Sequence, residues 1–141
     1  MSFDSIYGIA ASAMRAQTVR LDTVASNLAN VDSAAGSADA AYKAVRPVFQ
    51  SVYQQVQETG SMGAASVMIA DVVASQDKPT TRYEPNNPLA DADGNVYYAN
   101  INTMEEMADM MSASRSFESS IEVLKRIGTM QQGLLGLADE N

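Results

Sequence analysis

The sequence predicts a mainly α-helical protein in which long N- and C-terminal helices pack as a coiled-coil-like pair, with a small β-containing insert between them. Apolar or small residues recur in alternating steps of three and four at both ends of the 141-residue chain, which is the pattern of a helical seam. The middle has short β-type runs separated by Pro, Gly and Asn. We therefore divide the chain into residues 1–31, 32–102 and 103–141, and expect the two terminal helices to form one discontinuous domain.

The N-terminal helix is predicted to extend from about Asp4 to about Asn30. Its seam is apolar or small except at Gln17, and the residues between the seam positions are largely alanines and serines that favour or tolerate helix. A polar run with a glycine at residues 32–37 ends the helix. We expect these seam residues to form an assembly interface: Tyr7, Met14, Leu21, Val24, Leu28 and Val31.

The C-terminal helix is predicted to begin at Thr103, because Thr103 and Glu106 have the spacing of a capping box. Glu105, Glu106 and Asp109 lie in the first turns, where negative charge is favourable to the helix dipole, and we expect all three acids to be exposed. Glycines late in the helix each cost about 1 kcal/mol relative to Ala. We expect the interface on this helix to comprise Met107, Met110, Phe117, Ile121, Leu124 and Leu135.

The insert between the helices is predicted to contain short strands. Residues 45–57 have apolar positions that alternate only in part, so helix and strand both stay open there. Residues 66–74 are typical of a strand, whereas residues 76–92 are rich in Pro and Asn and predict a loop without regular pairing. Asp93 and Gly94 predict a turn into a second strand at residues 95–98.

The composition argues against an enzyme. The chain has no Cys, no His and no Trp, which removes disulfides, thiolate or imidazole metal sites and every mechanism that needs a Cys nucleophile or a His base. A carboxylate-based hydrolase would need two acids that converge in a cleft, and no acids have a recognisable catalytic spacing. The net charge of -8 would repel a phosphate backbone, so we expect no nucleic-acid partner.

One acidic run invites comparison with a calcium loop. With Gly94 of residues 91–95 (DADGN) at the sixth position of such a loop, the first and twelfth positions would be Leu89 and Asn100. Neither residue supplies the required carboxylate. The run therefore predicts a plain turn, and we expect no bound metal and no cofactor.

The predicted helices are too long for the core that the chain can offer them. A helix of about 27 residues rises about 40 Å, and the insert is small, so the remaining apolar surface must contact other chains. The alternative is that each seam belongs to an ordinary amphipathic helix that packs on the core of its own domain. A methionine cluster on the second helix is compatible with core filling or with a binding face: Met104, Met107, Met110 and Met111.

Three segments resemble the flagellar basal-body rod proteins. Residues 25–31 (ASNLANV) are similar to the end of the N-terminal helix in rod and hook proteins, and residues 107–118 (MADMMSASRSFE) are similar to their C-terminal helix signature. Residues 83–94 (YEPNNPLADADG) resemble a loop of the proximal rod members. The segment after Val31 lacks the Thr-Pro-Gly-Phe-like turn of distal rod and hook relatives, which favours the proximal rod type.

The resemblance implies a structural subunit of the hollow drive shaft that transmits torque from motor to hook. It implies that the partners are copies of itself and other flagellar rod proteins, the membrane-embedded ring and rod-base adaptor, and the flagellar type III export apparatus. The start of the sequence is not that of a cleaved signal, and residues 63–74, the most apolar stretch, are too short to span a bilayer. We therefore expect a periplasmic rod protein without direct membrane insertion. The alternative is a helical adaptor or export chaperone that binds a partner protein.

Overall fold

The computed structural model describes residues 3–53 and 65–139 and contains two long helices that flank a small antiparallel β insert. The elements follow in the order α1 (Phe3–Ala29), β1 (Ala34–Ala35), β2 (Val45–Tyr53), β3 (Ala65–Ala74), β4 (Thr80–Tyr83), β5 (Asn95–Tyr98) and α2 (Thr103–Asp139). The predicted pair of terminal helices and the β-containing insert are confirmed.

Helices α1 and α2 pack against each other and run antiparallel. Three contacts give the direction: Asn27 with Glu106, Arg20 with Asp109, and Tyr7 with Gly128. Later positions of α1 therefore meet earlier positions of α2. The buried apolar residues of the two helices are Ala10, Ala16, Val24, Ala113 and Ile127, and three of these five are alanines. Small residues allow the two helix backbones to approach closely.

The cap of α2 differs from the predicted one. Asn102 Oδ1 accepts a hydrogen bond from the backbone N–H of Met104 at 3.1 Å, and the Asn102 carbonyl accepts the N–H of Glu106 at 3.0 Å. Asn102 is thus the N-cap, a position that Asn occupies as readily as Ser or Asp. Thr103 is the first residue of the helix, so the prediction of Thr103 as the cap was wrong by one residue.

Strands β2 and β3 form a two-stranded antiparallel hairpin. The segment that stayed open between helix and strand is a strand as far as Tyr53, and its predicted continuation to residue 57 lies outside the described residues. Val48 pairs with Asp71 and Phe49 with Ile69, so the ladder leaves Ala70 as an extra residue. Such a bulge bends a strand and increases its twist.

The hairpin lies beside the N-terminal half of α1. Ser12 Oγ accepts a hydrogen bond from the backbone N–H of Val67 at 3.2 Å and donates one to the Ile9 carbonyl at 2.7 Å. Next to this junction is an open groove of about 510 Å³, whose lining includes Gly8 and Ile69. Ser12 therefore attaches strand β3 to this part of α1.

The second sheet has three strands in the order β1-β5-β4, and its centre is Val96, which is fully buried. Strand β4 falls in the segment predicted as a loop without regular pairing, so that prediction was wrong at residues 80–83. Thr80 pairs with Tyr98 and Tyr83 with Asn95. The prolines of the segment lie on either side of β4 and not within it, which is why they do not interrupt the ladder.

The acidic run after β4 is a turn, as predicted. Asp91 Oδ1 accepts hydrogen bonds from the backbone N–H groups of Asp93 at 2.9 Å and Asn95 at 2.8 Å, and its Oδ2 accepts one from the Tyr97 hydroxyl at 2.9 Å. These bonds, that from Asn95 above all, lower the pKa of Asp91, while the bond to Asp91 raises the pKa of Tyr97. Gly94 has φ of +80°, which a residue with a Cβ rarely adopts.

Among residues 3–53 and 65–139, no three acidic residues lie together in a way that could hold a metal ion. Neither α1 nor α2 has an apolar stretch long enough to cross a membrane.

Candidate assembly interface

A buried amide joins the two helices to the insert. Asn27 is 1% exposed, and its Oδ1 accepts hydrogen bonds from the Val45 N–H at 2.9 Å and the Tyr42 hydroxyl at 3.1 Å. Its Nδ2 donates to the Val45 carbonyl and to Glu106 Oε2, both at 3.0 Å. Each polar atom of the amide therefore makes two hydrogen bonds. The Asn27 side chain pairs with both the N–H and the carbonyl of Val45, as a neighbouring strand would, and so attaches the start of β2 to α1.

Glu106 is the counterpart of this amide on α2. It is 1% exposed, and its second oxygen, Oε1, accepts a hydrogen bond from Arg46 at 3.0 Å. The prediction of an exposed acid at residue 106 was therefore wrong, whereas Glu105 is exposed as predicted. A carboxylate can stay buried when charged or amide donors meet both of its oxygens. We call Asn27, Arg46 and Glu106 the polar cluster.

An ion pair lies beside the polar cluster. Arg20 donates from Nε to Asp109 Oδ2 at 3.2 Å and from a terminal guanidinium nitrogen to Oδ1, so both carboxylate oxygens are bound. Each side chain is 25% exposed, which makes Asp109 less exposed than predicted. Arg20 precedes Asn27 by about two helical turns, and Asp109 follows Glu106 by about one. The Asn27–Glu106 hydrogen bond and the Arg20–Asp109 ion pair lie at different heights along the helix axes. Together they therefore fix the register of α1 against α2.

Most of the predicted interface residues are buried or half-buried within the chain. Val24 is 2% exposed, and nine of the twelve are half-buried: Tyr7, Met14, Leu21, Leu28, Val31, Met110, Phe117, Ile121 and Leu124. Met107 is 48% exposed and Leu135 is 62% exposed. Gln17, the polar position of the seam, has a buried Oε1 without a hydrogen-bond partner among the described residues. The seam thus packs within the chain and leaves part of each side chain accessible.

Two apolar patches on α2 are exposed in the part of the chain that the structure describes. The first, which we call the methionine stripe, lies in the first turns at positions i, i+3 and i+7: Met104, Met107 and Met111, which are 74%, 48% and 59% exposed. The second lies at the other end, because α2 has 37 residues and α1 has 27. We call it the α2 overhang, and its exposed members are Met130, Leu134 and Leu135.

The hairpin adds a third exposed apolar surface. Both of its strands carry accessible large side chains, among them Phe49, Tyr53, Met68, Val72 and Val73. Isolated exposed apolar residues are ordinary, but groups of them mark contact surfaces. The described acids that are buried or half-buried at the helix pair are held by partners, and no described cleft brings two free carboxylates together. The fold and its exposed apolar surfaces therefore indicate a subunit of an assembly.

Two models of known protein families match this chain. A family model described as "Flagella basal body rod protein" matches residues 8–36, and one described as "Flagellar basal body rod FlgEFG protein C-terminal" matches residues 92–137. These two matches cover most of α1 and nearly all of α2, which are the elements that carry the polar cluster's Asn27 and Glu106.

Curated relatives match over almost the whole chain. The flagellar basal-body rod protein FlgC of Salmonella typhimurium is 43% identical over 137 residues, which cover 97% of this chain and 98% of the relative. FlgC of Escherichia coli O157:H7 is 42% identical with the same coverage, and FlgC of Aquifex aeolicus is 36% identical over 116 residues, 81% of each chain. The chain belongs to the FlgC family of flagellar basal-body rod proteins. The resemblance to rod proteins in the sequence is confirmed, and the family is structural and not enzymatic.

Proposed function

We propose that this protein is a structural subunit of the proximal rod of the bacterial flagellar basal body. In this role it self-assembles through its terminal helices into the hollow drive shaft that transmits torque from motor to hook. The observation that carries the proposal is the match to FlgC proteins over 97% of the chain, because it includes both helices and the insert and not a single shared motif.

The helix pair is suited to carrying load. We propose that residues 1–31 and 103–141 act as one discontinuous domain, a coiled-coil-like pair, with residues 32–102 as its insert. Sliding α1 past α2 by one turn, about 5.4 Å, would separate Asn27 from Glu106 and leave buried polar groups without partners. Each such group costs about 1–3 kcal/mol. The polar cluster and the Arg20–Asp109 pair therefore oppose axial slippage between the helices.

The same architecture supports the proposed partners. The exposed apolar patches on α2 and on the hairpin offer surfaces for copies of itself and for other rod proteins, and for the membrane-embedded ring and rod-base adaptor at the foot of the rod. We further propose delivery to the periplasm through the flagellar type III export apparatus without a cleaved signal peptide. We propose that the assembly interface comprises the accessible parts of the seam side chains, together with the exposed Met107 and Leu135.

The test is to locate the protein and to disturb its seam in the organism that carries it. Deletion of its gene should abolish hook and filament formation, and the protein should be recovered in purified basal bodies. Leu28→Asp should abolish motility while synthesis continues, because burying an unpaired charge costs several kcal/mol. Leu28→Met is the matched control and should swim. Recovery of the protein only in the cytosol, bound to another protein, would contradict the proposal and favour the adaptor or export chaperone.

A further inference from the structure

The hairpin of β2 and β3 is attached to α1 in two different ways. At its root, Asn27 pairs with both the N–H and the carbonyl of Val45, and this amide is 1% exposed. About 22 Å nearer the start of α1, the Ser12 hydroxyl accepts a hydrogen bond from the Val67 N–H at 3.2 Å. We call residues 49–53 and 65–69, which include this second attachment, the distal half of the hairpin.

The distal half gains little support from side-chain burial. No residue of Val45–Tyr53 or Ala65–Ala74 is buried, and most are exposed. Between the distal half and α1 lies the open groove of about 510 Å³, whose lining on the hairpin side includes Val52 and Ile69, both half-buried. Regions with few buried apolar contacts open at a lower free energy than the rest of a fold. The distal half is therefore the part of the insert that can separate from α1 most easily.

The β-bulge lies between the root and the distal half. The ladder pairs Val48 with Asp71 and Phe49 with Ile69, and leaves Ala70 as the extra residue. A bulge disrupts the ladder locally and bends the strand that contains it. The direction of the distal half can therefore change at Ala70 while the strand pairs on either side of the bulge are kept.

We infer that the distal half moves away from α1 as a unit, about the bulge at Ala70, while the root stays attached. The bonds at the root connect Val45 to α1 and, through Asn27 and Glu106, to α2. Movement of the distal half leaves these bonds intact, so the two helices keep their register in both positions of the hairpin. This conformational change belongs to the folded chain itself and goes beyond the proposed function.

The absence of cysteine from the chain allows spin labels to be placed on pairs of introduced cysteines in the purified full-length protein. The test pair is Arg15→Cys with Gln50→Cys, and the matched control at the root is Ala25→Cys with Ala74→Cys; all four positions are exposed. Pulsed electron paramagnetic resonance should give two label-to-label distances for the test pair and one for the control. A single distance for the test pair, or equally broad distributions for both pairs, would overturn the inference.

Two further substitutions should shift the populations in opposite directions. Ser12→Ala removes the bond to Val67 and should raise the ratio of the long to the short distance by about 2- to 10-fold. Gly8→Leu should lower that ratio, because Gly8 lines the groove and a Cβ there would meet nothing within 4 Å, so the new side chain can fill part of the space. Unchanged ratios in both variants would contradict the inference.

Hydrogen exchange provides a measurement that needs no label. Ser12→Ala should speed exchange at the Val67 amide and leave it unchanged at Arg46 and Val73, which pair with each other at the root. Faster exchange at all three amides would mean that the hairpin unfolds and does not move as a unit, and would overturn the inference.

Discussion

Removal of the Glu106 carboxylate should weaken the joint between the helices more than any other change to an acid at the start of α2. Glu106→Ala deletes the acceptor of Asn27 Nδ2–H and leaves that donor, on a side chain that is 1% exposed, without this bond. An unsatisfied buried donor costs about 1–3 kcal/mol. Loss of the buried Cγ methylene adds about 0.8 kcal/mol.

The other partner of Glu106 limits the effect. The Arg46 side chain is 55% exposed, so its guanidinium can hydrate when the carboxylate is removed and its charge is not stranded. We therefore expect Glu106→Ala to lower the free energy of unfolding by about 3 kcal/mol. Glu106→Gln keeps the size of the side chain and one acceptor, and should cost about 1 kcal/mol.

Urea unfolding of the purified full-length chain, followed by far-UV circular dichroism, measures both variants. With a slope of about 2 kcal/mol per M, Glu106→Ala should lower the midpoint by about 1.5 M. Glu105→Ala is the matched control because Glu105 is exposed one residue away, and it should change stability by about 0.5 kcal/mol at most. Equal midpoints for Glu106→Ala and Glu105→Ala would refute the reasoning.

Three further predictions concern the insert and its attachment. Gly94→Ala should lower the free energy of unfolding by more than about 1 kcal/mol, because φ is +80° and a Cβ would lie 2.8 Å from a ring carbon of Tyr83. Gly133→Ala, in open space on a helix, should raise it by up to about 1 kcal/mol. A urea midpoint that rises for Gly94→Ala, or one that falls for Gly133→Ala, would contradict this. Ser12→Ala should speed hydrogen exchange at the Val67 amide, and unchanged exchange would show that this bond does not hold the hairpin. The lowered pKa of Asp91 means that its stabilisation is present above pH 3.8, the unfolded value, and is lost as the pH falls through the lower folded pKa. An NMR titration checks this, and Asp91→Asn should remove that pH dependence.

The terminal helices could be predicted because their evidence is local. Steps of three and four persist through both ends of the chain, and such a pattern needs no knowledge of the partner. The strand at residues 66–74, the strand at residues 95–98 and the turn before it also follow from local composition. The residues on one face of each helix could be named in the same way, since they share their spacing; that they form an assembly interface stays a prediction.

The polar cluster could not be predicted in this way, because its cause is tertiary. Glu106 is one of several acids near a helix start, and its burial depends on Asn27 and Arg46, which are 79 and 60 positions away. One local sign existed: Glu106 lies seven residues before Ala113, on the face that packs against α1. Strand β4 was missed for a similar reason, since its four residues are a strand through pairing with β5.

The distribution of large side chains has a consequence for assembly. The largest fully buried side chains are Glu106, Val96 and Asn27, and most of the buried apolar residues are alanines, whereas methionines, leucines and valines of α2 and the hairpin are exposed. Apolar burial stabilises in proportion to the area removed from water, and alanine contributes little area. Polar contacts inside the chain therefore specify the register of the two helices. The larger stabilisation by apolar burial would come only when neighbouring chains cover the exposed residues of α2 and the hairpin. Binding that occurs only in the folded state raises stability by mass action, so the folded form should gain stability as the assembly grows.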